Sequence, residues 1–423
     1  ILTLGIQINT FKTELTILLA YTESWTFMND LSIFGLYKWA KETPAKSLFF
    51  DGRINLSYYD FAEKVDMLAA GLHKKGVRKG DKIVVSLPNT AEFALLVFAC
   101  LKLGVLLVCV NMQFREQELH ALIPCIGRPK MAFLCRDYQV DIWSDNYPDL
   151  EIITVIPEDS ALCSMQHLFV QAQTENEFSL ENDAFIIFTS GSTGTPKGVL
   201  MTPGNLSGQI RSMTERFHAT ADDVMYIPGP FCLMSGLPWL LLICNTGGTA
   251  VTGVRFDGTE AIRLISKHKV TILSGVTTMF AREIAAYEQM TEKPDISSLR
   301  TGALGGAPVS RDYMEWFERT AECKLVNAYG MTECPGIIMG DCEDPAIIRY
   351  SKAGKALRNV EICLLDNDCK PVILGEPGEI CCKSSGITKG YYNRPDLNDK
   401  LLDSNGWLHT GDIGVQDADG YIT

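Results

Sequence analysis

From about residue 55 onward, segments with helical hydrophobic spacing alternate with short runs of β-branched residues. In the first helical segment the apolar positions are Phe61, Val65, Leu68 and Leu72, and the strand-like run GVRKGDKIVVSL follows them. The same change of period recurs in the segments 91–110, 204–228, 259–275 and 310–330. Such alternation is typical of parallel sheets with helices on both faces. The sequence therefore predicts an α/β fold with two helix-covered sheet subdomains.

The pattern changes after about residue 330, where helical spacing becomes rare and strands alternate with turn clusters such as DNDCKP and DADGY. This alternation is typical of antiparallel sheet, and we expect a small, β-barrel-like subdomain there. A chain of 423 residues is also too long for a single hydrophobic core. The expected divisions are an N-terminal extension without an assigned function at 1–27, α/β subdomains at 28–180 and 181–330, and the β-rich subdomain at 331–423.

Composition excludes one class of partner and favours one compartment. The formal net charge is −13, whereas a protein that binds nucleic acid needs a basic surface. The 14 cysteines include no C-x-x-C pair and no zinc-ligand spacing, so we interpret them as reduced thiols of a cytoplasmic protein. Lys102 and Gly104 interrupt the apolar run 94–110, which argues against a membrane span.

The segment TSGSTGTPKG, residues 189–198, has the composition of a phosphate-binding loop. Its glycines and hydroxyls expose donors without bulk, and Lys197 adds a positive charge. It is not a Walker loop, because Pro196 stands where the second glycine would be and Gly198 follows the lysine. Pro196 lacks an N–H group and disfavours helical angles at Thr195, so we expect a strand–loop–strand flap between AFIIFTS and GVLMT.

Five motifs in order resemble those of the adenylate-forming superfamily, which contains acyl-CoA synthetases, adenylation domains of peptide synthetases, and luciferases. The motifs are FTSGSTGTPKGV (188–199), GGAP (305–308), NAYGMTEC (327–334), KGYYNRP (389–395) and GWLHTGD (406–412). They resemble, respectively, the family's phosphate loop, its adenine-side turn, its Y-G-x-T-E signature, its G-Y-x-x-x-P run and its T-G-D segment. Together they cover residues 185–423, and the pattern from residue 28 onward is compatible with the same fold.

The resemblance implies a set of site residues, together with ATP or AMP, Mg²⁺ and coenzyme A as cofactors and acceptor. The residues implied to hold the nucleotide phosphates are Thr189, Ser190, Gly191, Ser192, Thr193, Gly194 and Lys197. Those implied to surround the adenosine and the α-phosphate are Gly306, Ala307, Pro308, Asn327, Ala328, Tyr329, Gly330, Met331, Thr332 and Asp412. The implied catalytic residues are Thr193, Lys197, Thr332 and Glu333.

Individual roles follow from the same resemblance. Tyr329 would lie against the adenine face with Asn327 at its edge, and Asp412 would accept from both ribose hydroxyls. Glu333 would bind Mg²⁺, assisted by the Thr193 hydroxyl. This assignment agrees with the preference of Mg²⁺ for hard oxygen ligands and few carboxylates.

The sequence departs from the family pattern in two places and ends early. Pro203 stands where a histidine is frequent, and Leu233 or Cys232 replaces a histidine near the incoming carboxylate. The run PFCLMSGL also lacks an aspartate that could hold an α-ammonium group, which disfavours an amino-acid substrate. The chain stops at Thr423, where the family continues into a small C-terminal lid domain with a catalytic lysine. We therefore expect that lid domain to be absent and catalysis by the chain alone to be impaired.

The predicted function is an AMP-forming carboxylate–CoA ligase, which makes acyl-AMP from a small carboxylic acid and then transfers the acyl group to CoA. Two alternatives stay open: loading of a carrier-protein pantetheine, and a non-catalytic nucleotide-binding homologue. The acid pocket is expected near residues 233–241, 274–280 and 302–306. Both aliphatic and aromatic acids are compatible with these residues.

The assignment of Lys197 to the β- and γ-phosphates predicts a selective loss of ATP binding. Lys197→Ala should weaken ATP by about 1.5–3 kcal/mol, the contribution of one charge-assisted contact. AMP lacks these two phosphates and should bind nearly as before. Isothermal titration calorimetry with both nucleotides tests this, and equal weakening of both would show that the assignment is wrong.

Overall fold

The computed structural model describes residues 35–189, 196–307 and 310–423. Within these ranges the α-helices are α1 (Leu36–Glu42), α2 (Tyr58–Lys74), α3 (Ala91–Leu103), α4 (Glu116–Ile126), α5 (Asp137–Asn146), α6 (Pro203–Phe217), α7 (Leu237–Thr246), α8 (Gly258–His268), α9 (Thr277–Gln289), α10 (Arg311–Ala321), α11 (Ala346–Ser351) and α12 (Pro395–Asn398). A 3₁₀ helix spans Cys163–Leu168.

The strands of the first 305 residues follow the predicted alternation with helices. They are β1 (Ser47–Phe50), β2 (Asn55–Ser57), β3 (Lys82–Ser86), β4 (Leu106–Cys109), β5 (Met131–Leu134), β6 (Glu151–Thr154), β7 (Phe185–Thr189), β8 (Lys197–Met201), β9 (Val224–Tyr226), β10 (Thr249–Val251), β11 (Ile272–Val276) and β12 (Thr301–Gly305). The remaining strands are β13 (Lys324–Met331), β14 (Cys334–Met339), β15 (Lys355–Ala356), β16 (Val360–Leu365), β17 (Pro377–Ser384), β18 (Gly390–Tyr391) and β19 (Leu408–Val415).

Local signals explain where several helices begin and end. The Ser57 side chain accepts a hydrogen bond from the backbone of Asp60 at the start of α2, and Thr202 forms a capping box with Asn205 at the start of α6. These contacts satisfy backbone N–H groups that have no partner inside the helix. Helix α3 ends at Gly104, whose backbone is left-handed. The expected helices at 91–103 and 204–217 are therefore confirmed to within one residue.

Two large sheets, both mainly parallel, form the body of the chain. The seven-stranded sheet has the order β18-β8-β7-β4-β3-β5-β6, and its strands β7, β4, β3, β5 and β6 are parallel. The nine-stranded sheet has the order β15-β14-β13-β12-β11-β9-β10-β1-β2, and it is parallel from β1 to β13. This arrangement confirms the α/β fold class expected from the sequence.

Both sheets take strands from either side of residue 180, the expected boundary between the α/β subdomains. Strands β1 and β2 join the nine-stranded sheet, whereas β7 and β8 complete the seven-stranded one. The largest hydrophobic core also joins the sheets, since it includes Phe49 of β1, Ile83 of β3 and nearly all of α3. Hydrophobic period identifies such elements but not their sheet, because sheet membership depends on long-range pairing.

The last part of the chain forms the expected antiparallel structure. Strands β16, β17 and β19 make a three-stranded antiparallel sheet, and a separate core beneath it includes Ile337, Leu364 and Leu408. Strand β18 leaves this region and pairs with β8 of the seven-stranded sheet. In the part of the chain that the structure describes, no helix combines the length and apolar character needed to cross a membrane.

Helix α9 carries a buried acid whose ionisation opposes folding. Glu283 is 2% exposed, its Oε2 has no hydrogen-bond partner among the described residues, and burial raises its pKa from 4.5 to about 8. Between these two pH values the unfolded chain releases a proton that the folded chain keeps. Stability should therefore fall as pH rises from 4.5 to 8, by up to about 1.4 kcal/mol per pH unit.

Glu283→Gln removes this titration while keeping the side-chain shape. We expect a variant close to wild type in unfolding free energy near pH 5, and more stable by roughly 3 kcal/mol near pH 8. Urea denaturation across this pH range measures the difference. Glu292→Gln, at an exposed position after the same helix, is the control and should show no such trend. A constant difference across the pH range would contradict the buried-acid interpretation.

Candidate active site

The predicted flap is an antiparallel hairpin at the edge of the parallel strands. Strands β7 and β8 pair so that Thr189 lies opposite Lys197 where the loop opens, which confirms the strand–loop–strand expectation. A side chain at Gly198 would come within 2.8 Å of Ile186 and 3.1 Å of Phe188, so glycine lets β8 lie close to β7. The loop residues assigned to phosphate, Ser190, Gly191, Ser192, Thr193 and Gly194, lie outside the described residues.

Tyr391, in the motif KGYYNRP, contacts both Lys197 and the predicted metal ligand Glu333. The Lys197 Nζ lies 5.3 Å from the centre of the Tyr391 ring. The Tyr391 hydroxyl donates a 2.6 Å hydrogen bond to Glu333 Oε1. Burial and this contact with a carboxylate raise the pKa of Tyr391, so it remains a protonated donor. The structure therefore brings Lys197 and Glu333, far apart in sequence, into contact with one aromatic side chain, the lysine at its ring and the carboxylate at its hydroxyl.

Glu333 occupies the tip of a tight hairpin. Met331 of β13 pairs with Cys334 of β14, which leaves Thr332 and Glu333 as the two turn residues. Glu333 is only 7% exposed, although a carboxylate usually remains in solvent. Its single hydrogen bond among the described side chains is the one from Tyr391, so a hard cation would find an oxygen ligand with unused acceptor capacity there.

Tyr329 and Asp412 meet across two different sheets. The Tyr329 hydroxyl donates a 2.7 Å hydrogen bond to Asp412 Oδ2, linking β13 to β19. Burial raises the pKa of Tyr329, and its contact with Asp412 raises it further. Asp412 itself is exposed, and among the described residues its carboxylate has no side-chain hydrogen bond other than the one from Tyr329. The pair thus places an aromatic face beside an acceptor, the combination expected for adenine and ribose.

The predicted adenine-side turn follows the end of β12. Gly305 pairs with Ala328 on β13, which places the exposed residues Gly306 and Ala307 beside the strand that carries Tyr329. Gly330 and Met331 continue this strand. Pro308 lies outside the described residues.

Asn327 has a structural role beside its predicted one. Its amide nitrogen donates to the backbone carbonyls of Arg349 at 3.1 Å and Lys352 at 2.8 Å. Both amide hydrogens are therefore occupied by α11 and the residue that follows it. The predicted contact with the adenine edge would use the remaining carbonyl oxygen.

A cavity of about 470 Å³ opens between the carboxyl ends of the two sheets. From the seven-stranded sheet its walls include Pro88, Asn111 and Arg136, which follow β3, β4 and β5. From the nine-stranded sheet they include Pro230 after β9 and Thr278 at the start of α9. Ligands in open α/β sheets bind at this edge, beyond the carboxyl ends of the strands.

The cavity lining contains both arginines and apolar side chains. Arg136, Arg255 and Arg282 contribute positive charge, whereas Cys232 and Leu233 contribute apolar surface. Arg255 lies 3.5 Å from Glu158 in an exposed ion pair, while no carboxylate in the described ranges pairs with Arg136 or Arg282. The cavity can accept a ligand with an anionic end and an apolar arm.

Sequence reasoning missed these residues for identifiable reasons. Tyr391 belongs to the recognised run KGYYNRP, but nothing in that run says which residue it contacts. The three arginines are isolated in sequence: Arg136 and Arg255 stand a few residues after β5 and β10, whereas Arg282 lies within α9. For the first two, a polar residue soon after a buried strand is the available signal. That signal could have indicated a ligand edge. Of the expected acid-pocket residues, the cavity includes Leu233, Thr278 and Met279.

Comparison with known proteins identifies the family. The family model described as AMP-binding enzyme matches residues 36–392. YngI of Bacillus subtilis (strain 168), whose name gives acyl-CoA synthetase as its provisional activity, is 31% identical over 406 residues, covering 88% of this chain and 73% of that protein. A feruloyl-CoA synthase from Amycolatopsis is 29% identical over 412 residues, covering 92% of this chain and 77% of that protein.

A solved structure shows the same fold. The o-succinylbenzoate CoA synthetase (MenE) of Bacillus subtilis, in complex with its acyl-adenylate intermediate, superposes with a TM-score of 0.78 at 28% identity. The match covers 92% of this chain and 76% of that one. The chain therefore belongs to the AMP-binding enzyme family of acyl-CoA and other adenylate-forming ligases.

Proposed function

We propose that this member of the AMP-binding enzyme family is an ATP- and Mg²⁺-dependent carboxylate–CoA ligase. The observation that carries the proposal is the cluster of Lys197, Tyr391 and Glu333 beside the Tyr329–Asp412 pair. It combines a cation and a buried carboxylate for the phosphates with an aromatic face and an acceptor for the nucleoside. All fourteen cysteines are free thiols, which fits the reducing cytoplasm that we propose as its location.

The reaction has two displacements. In the first, a carboxylate oxygen of the acid forms a bond to the α-phosphorus of ATP, and the bond to the β-phosphate oxygen breaks, releasing pyrophosphate. In the second, the CoA thiolate attacks the acyl carbon and AMP leaves with the bonding electron pair. Both steps are promoted mainly by holding the reactants in line and stabilising developing charge.

For the first step we assign Lys197 to the β- and γ-phosphates and the Thr332 hydroxyl to the α-phosphate. The Tyr391 ring supports the lysine from one side, where a cation–π contact limits its motion. Its hydroxyl fixes one Glu333 oxygen, leaving the other to hold Mg²⁺ together with Thr193. A bound Mg²⁺ would neutralise phosphate charge that these residues alone cannot balance.

For the second step we assign the arginine-lined part of this cavity to CoA, and we assign the walls at Leu233, Thr278 and Met279, which belong to the expected acid pocket, to the acyl group. CoA carries phosphate groups at one end and a long, mostly neutral pantetheine arm, so its phosphates match the arginines and its arm would extend along the cavity towards the acyl group. Thr278 follows β11, whose Val276 lies beside the Gly306 turn, so the cavity adjoins the nucleotide site. A pantetheine attached to a carrier protein has only one phosphodiester, so it would neutralise less of the positive charge of the three arginines than CoA does.

Two variants test the assignment of Glu333 to Mg²⁺. One removes the carboxylate charge, and the other keeps the charge but removes the hydrogen bond to it. Glu333→Gln keeps the shape but removes the charge that favours a hard cation, so Mg²⁺ should no longer strengthen ATP binding. Tyr391→Phe keeps the carboxylate and removes one hydrogen bond, so part of the Mg²⁺ effect should survive. Calorimetric titration of ATP with and without Mg²⁺ measures both. AMP affinity should be unchanged in Glu333→Gln.

Wild-type Mg²⁺ dependence in Glu333→Gln would show that Glu333 is not a ligand. Acid-dependent ATP–pyrophosphate exchange with a panel of aliphatic and aromatic acids, even at a low rate, would identify a ligase and argue against a non-catalytic nucleotide-binding homologue. Acyl-sulfamoyl adenosines, stable analogues of acyl-AMP, provide a readout that needs no turnover. The analogue of the natural acid should bind more tightly than AMP, because it occupies both subsites.

The assignment of the cavity to CoA predicts that removing an arginine lowers the affinity only for ligands that carry phosphate groups. Arg136→Ala should weaken CoA by about 1.5–3 kcal/mol, the contribution of a charge-assisted contact, and leave pantetheine nearly unaffected. Arg263→Ala, on the exposed face of α8, is the matched control. Calorimetry with CoA, phosphopantetheine and pantetheine in the presence of AMP gives the values. Equal affinity for all three ligands in the wild type would favour a carrier protein instead.

A further inference from the structure

A bulge in the three-stranded sheet determines where Asp412 points. Glu379 of β17 pairs with Ile413, but two residues later Cys381 pairs with His409. Three residues of β19, 410–412, therefore stand opposite Ile380 alone, and Gly411 adopts a φ of 79° that other residues rarely reach. Bulges of this kind bend a strand and redirect a side chain near an active site. Here the redirected side chain is the one that contacts Tyr329.

The Glu379 carboxylate connects the middle of this bulge to the residue before it. Its Oε1 accepts a hydrogen bond from the Gly411 backbone at 2.9 Å, and its Oε2 lies 2.8 Å from His409 Nδ1. Thr410 Oγ1 donates to the carbonyl of Ile380 at 2.8 Å and accepts from the Asp412 backbone at 3.2 Å. Each residue of the bulge is thus held by a side-chain hydrogen bond.

His409 lies between two carboxylates. Its Nε2 is 3.6 Å from Asp403 Oδ2, while Glu379 occupies the other side of the ring. The hydrogen bond with Glu379 raises the pKa of His409, which favours the imidazolium form. Cys381 Sγ is 3.4 Å from Nδ1, and burial raises the pKa of this thiol to about 12, so it adds no charge. Across the sheet from Cys381 stands Cys363, a further thiol with a raised pKa.

We propose that Glu379 and His409 are positioning residues for ribose recognition, because they fix the bulge that presents the Asp412 carboxylate. The proposal rests on the assignment of Asp412 to the ribose hydroxyls made above. Neither residue is assigned a direct contact with the nucleotide. A carboxylate that is already held in its binding position loses less conformational freedom when the ligand binds. The resulting gain in affinity is therefore limited to ligands with the ribose hydroxyls that Asp412 contacts.

If Glu379 only stabilised the sheet, its variants would weaken AMP and an AMP analogue without ribose hydroxyls equally. Comparing the affinities for these two nucleotides therefore distinguishes a structural role from a positioning role. Glu379→Gln keeps the shape but not the charge that holds His409, and Glu379→Ala removes both hydrogen bonds. We expect Glu379→Ala to weaken AMP about tenfold, Glu379→Gln to weaken it less, and neither to change the affinity for 2′,3′-dideoxy-AMP, which lacks both ribose hydroxyls. Calorimetry measures the dissociation constants.

A double-mutant cycle tests the route of the effect. If Glu379 acts through Asp412, then Glu379→Ala should cause no further loss of AMP binding in an Asp412→Ala background. Additive losses would overturn the proposal. Glu361→Ala, at an exposed carboxylate on β16 of the same sheet, is the matched control and should leave both nucleotides unchanged. His409→Gln provides a second variant if Glu379→Ala fails to fold.

The outcomes separate this proposal from the proposed function. Equal affinity of the wild type for AMP and dideoxy-AMP, with no loss in Asp412→Ala, would contradict the assignment of Asp412 to ribose. Selective loss of AMP in Asp412→Ala, but equal weakening of both nucleotides in the Glu379 and His409 variants, would overturn the positioning role alone. Selective loss of AMP in all of them supports both.

Discussion

The hydrogen bond from Tyr391 to Glu333 is the contact on which the arrangement of the site depends. Glu333 belongs to a hairpin of the nine-stranded sheet, whereas Tyr391 extends the seven-stranded sheet through its pairing with β8. The shared hydrophobic core packs the two sheets together, but apolar contacts are not directional and leave polar side chains free to take other positions. A short hydrogen bond between a protonated tyrosine and a buried carboxylate restricts this freedom. The lysine and the metal ligand therefore occupy one site.

The rest of the site follows from the direction of the parallel strands. Carboxyl ends of neighbouring parallel strands lie at the same edge, so the residues that follow β9, β11 and β12 converge without any contact between them in sequence. The flap after β7, the turn after β12 and the cavity walls all lie at such ends. Antiparallel elements then add what parallel strands cannot provide. Tight hairpins and bulges aim single side chains, as at Glu333 and Asp412.

The sequence predicted much of the fold because its local signals are strong. Helical and strand periods placed α3, α6 and the strands β7 and β8 nearly to the residue, since these elements bury continuous apolar faces. It did not predict which strands share a sheet. Strand β1 pairs with β10, some 200 residues away, and such pairing depends on the packing of the whole chain.

The sequence motifs identified candidate site residues because they are local patterns. For the same reason they could not predict which residues of different motifs contact each other. The run KGYYNRP contains both Tyr391 and Tyr392, but only the pairing of β18 with β8 shows that Tyr391 reaches Glu333. Likewise GWLHTGD identifies Asp412 as a candidate without indicating why its carboxylate leaves the strand. That direction comes from Glu379, thirty-three residues earlier, through a hydrogen bond to a backbone N–H group. A motif can thus retain its residues while its geometry depends on a side chain outside it, and only the folded structure shows that dependence.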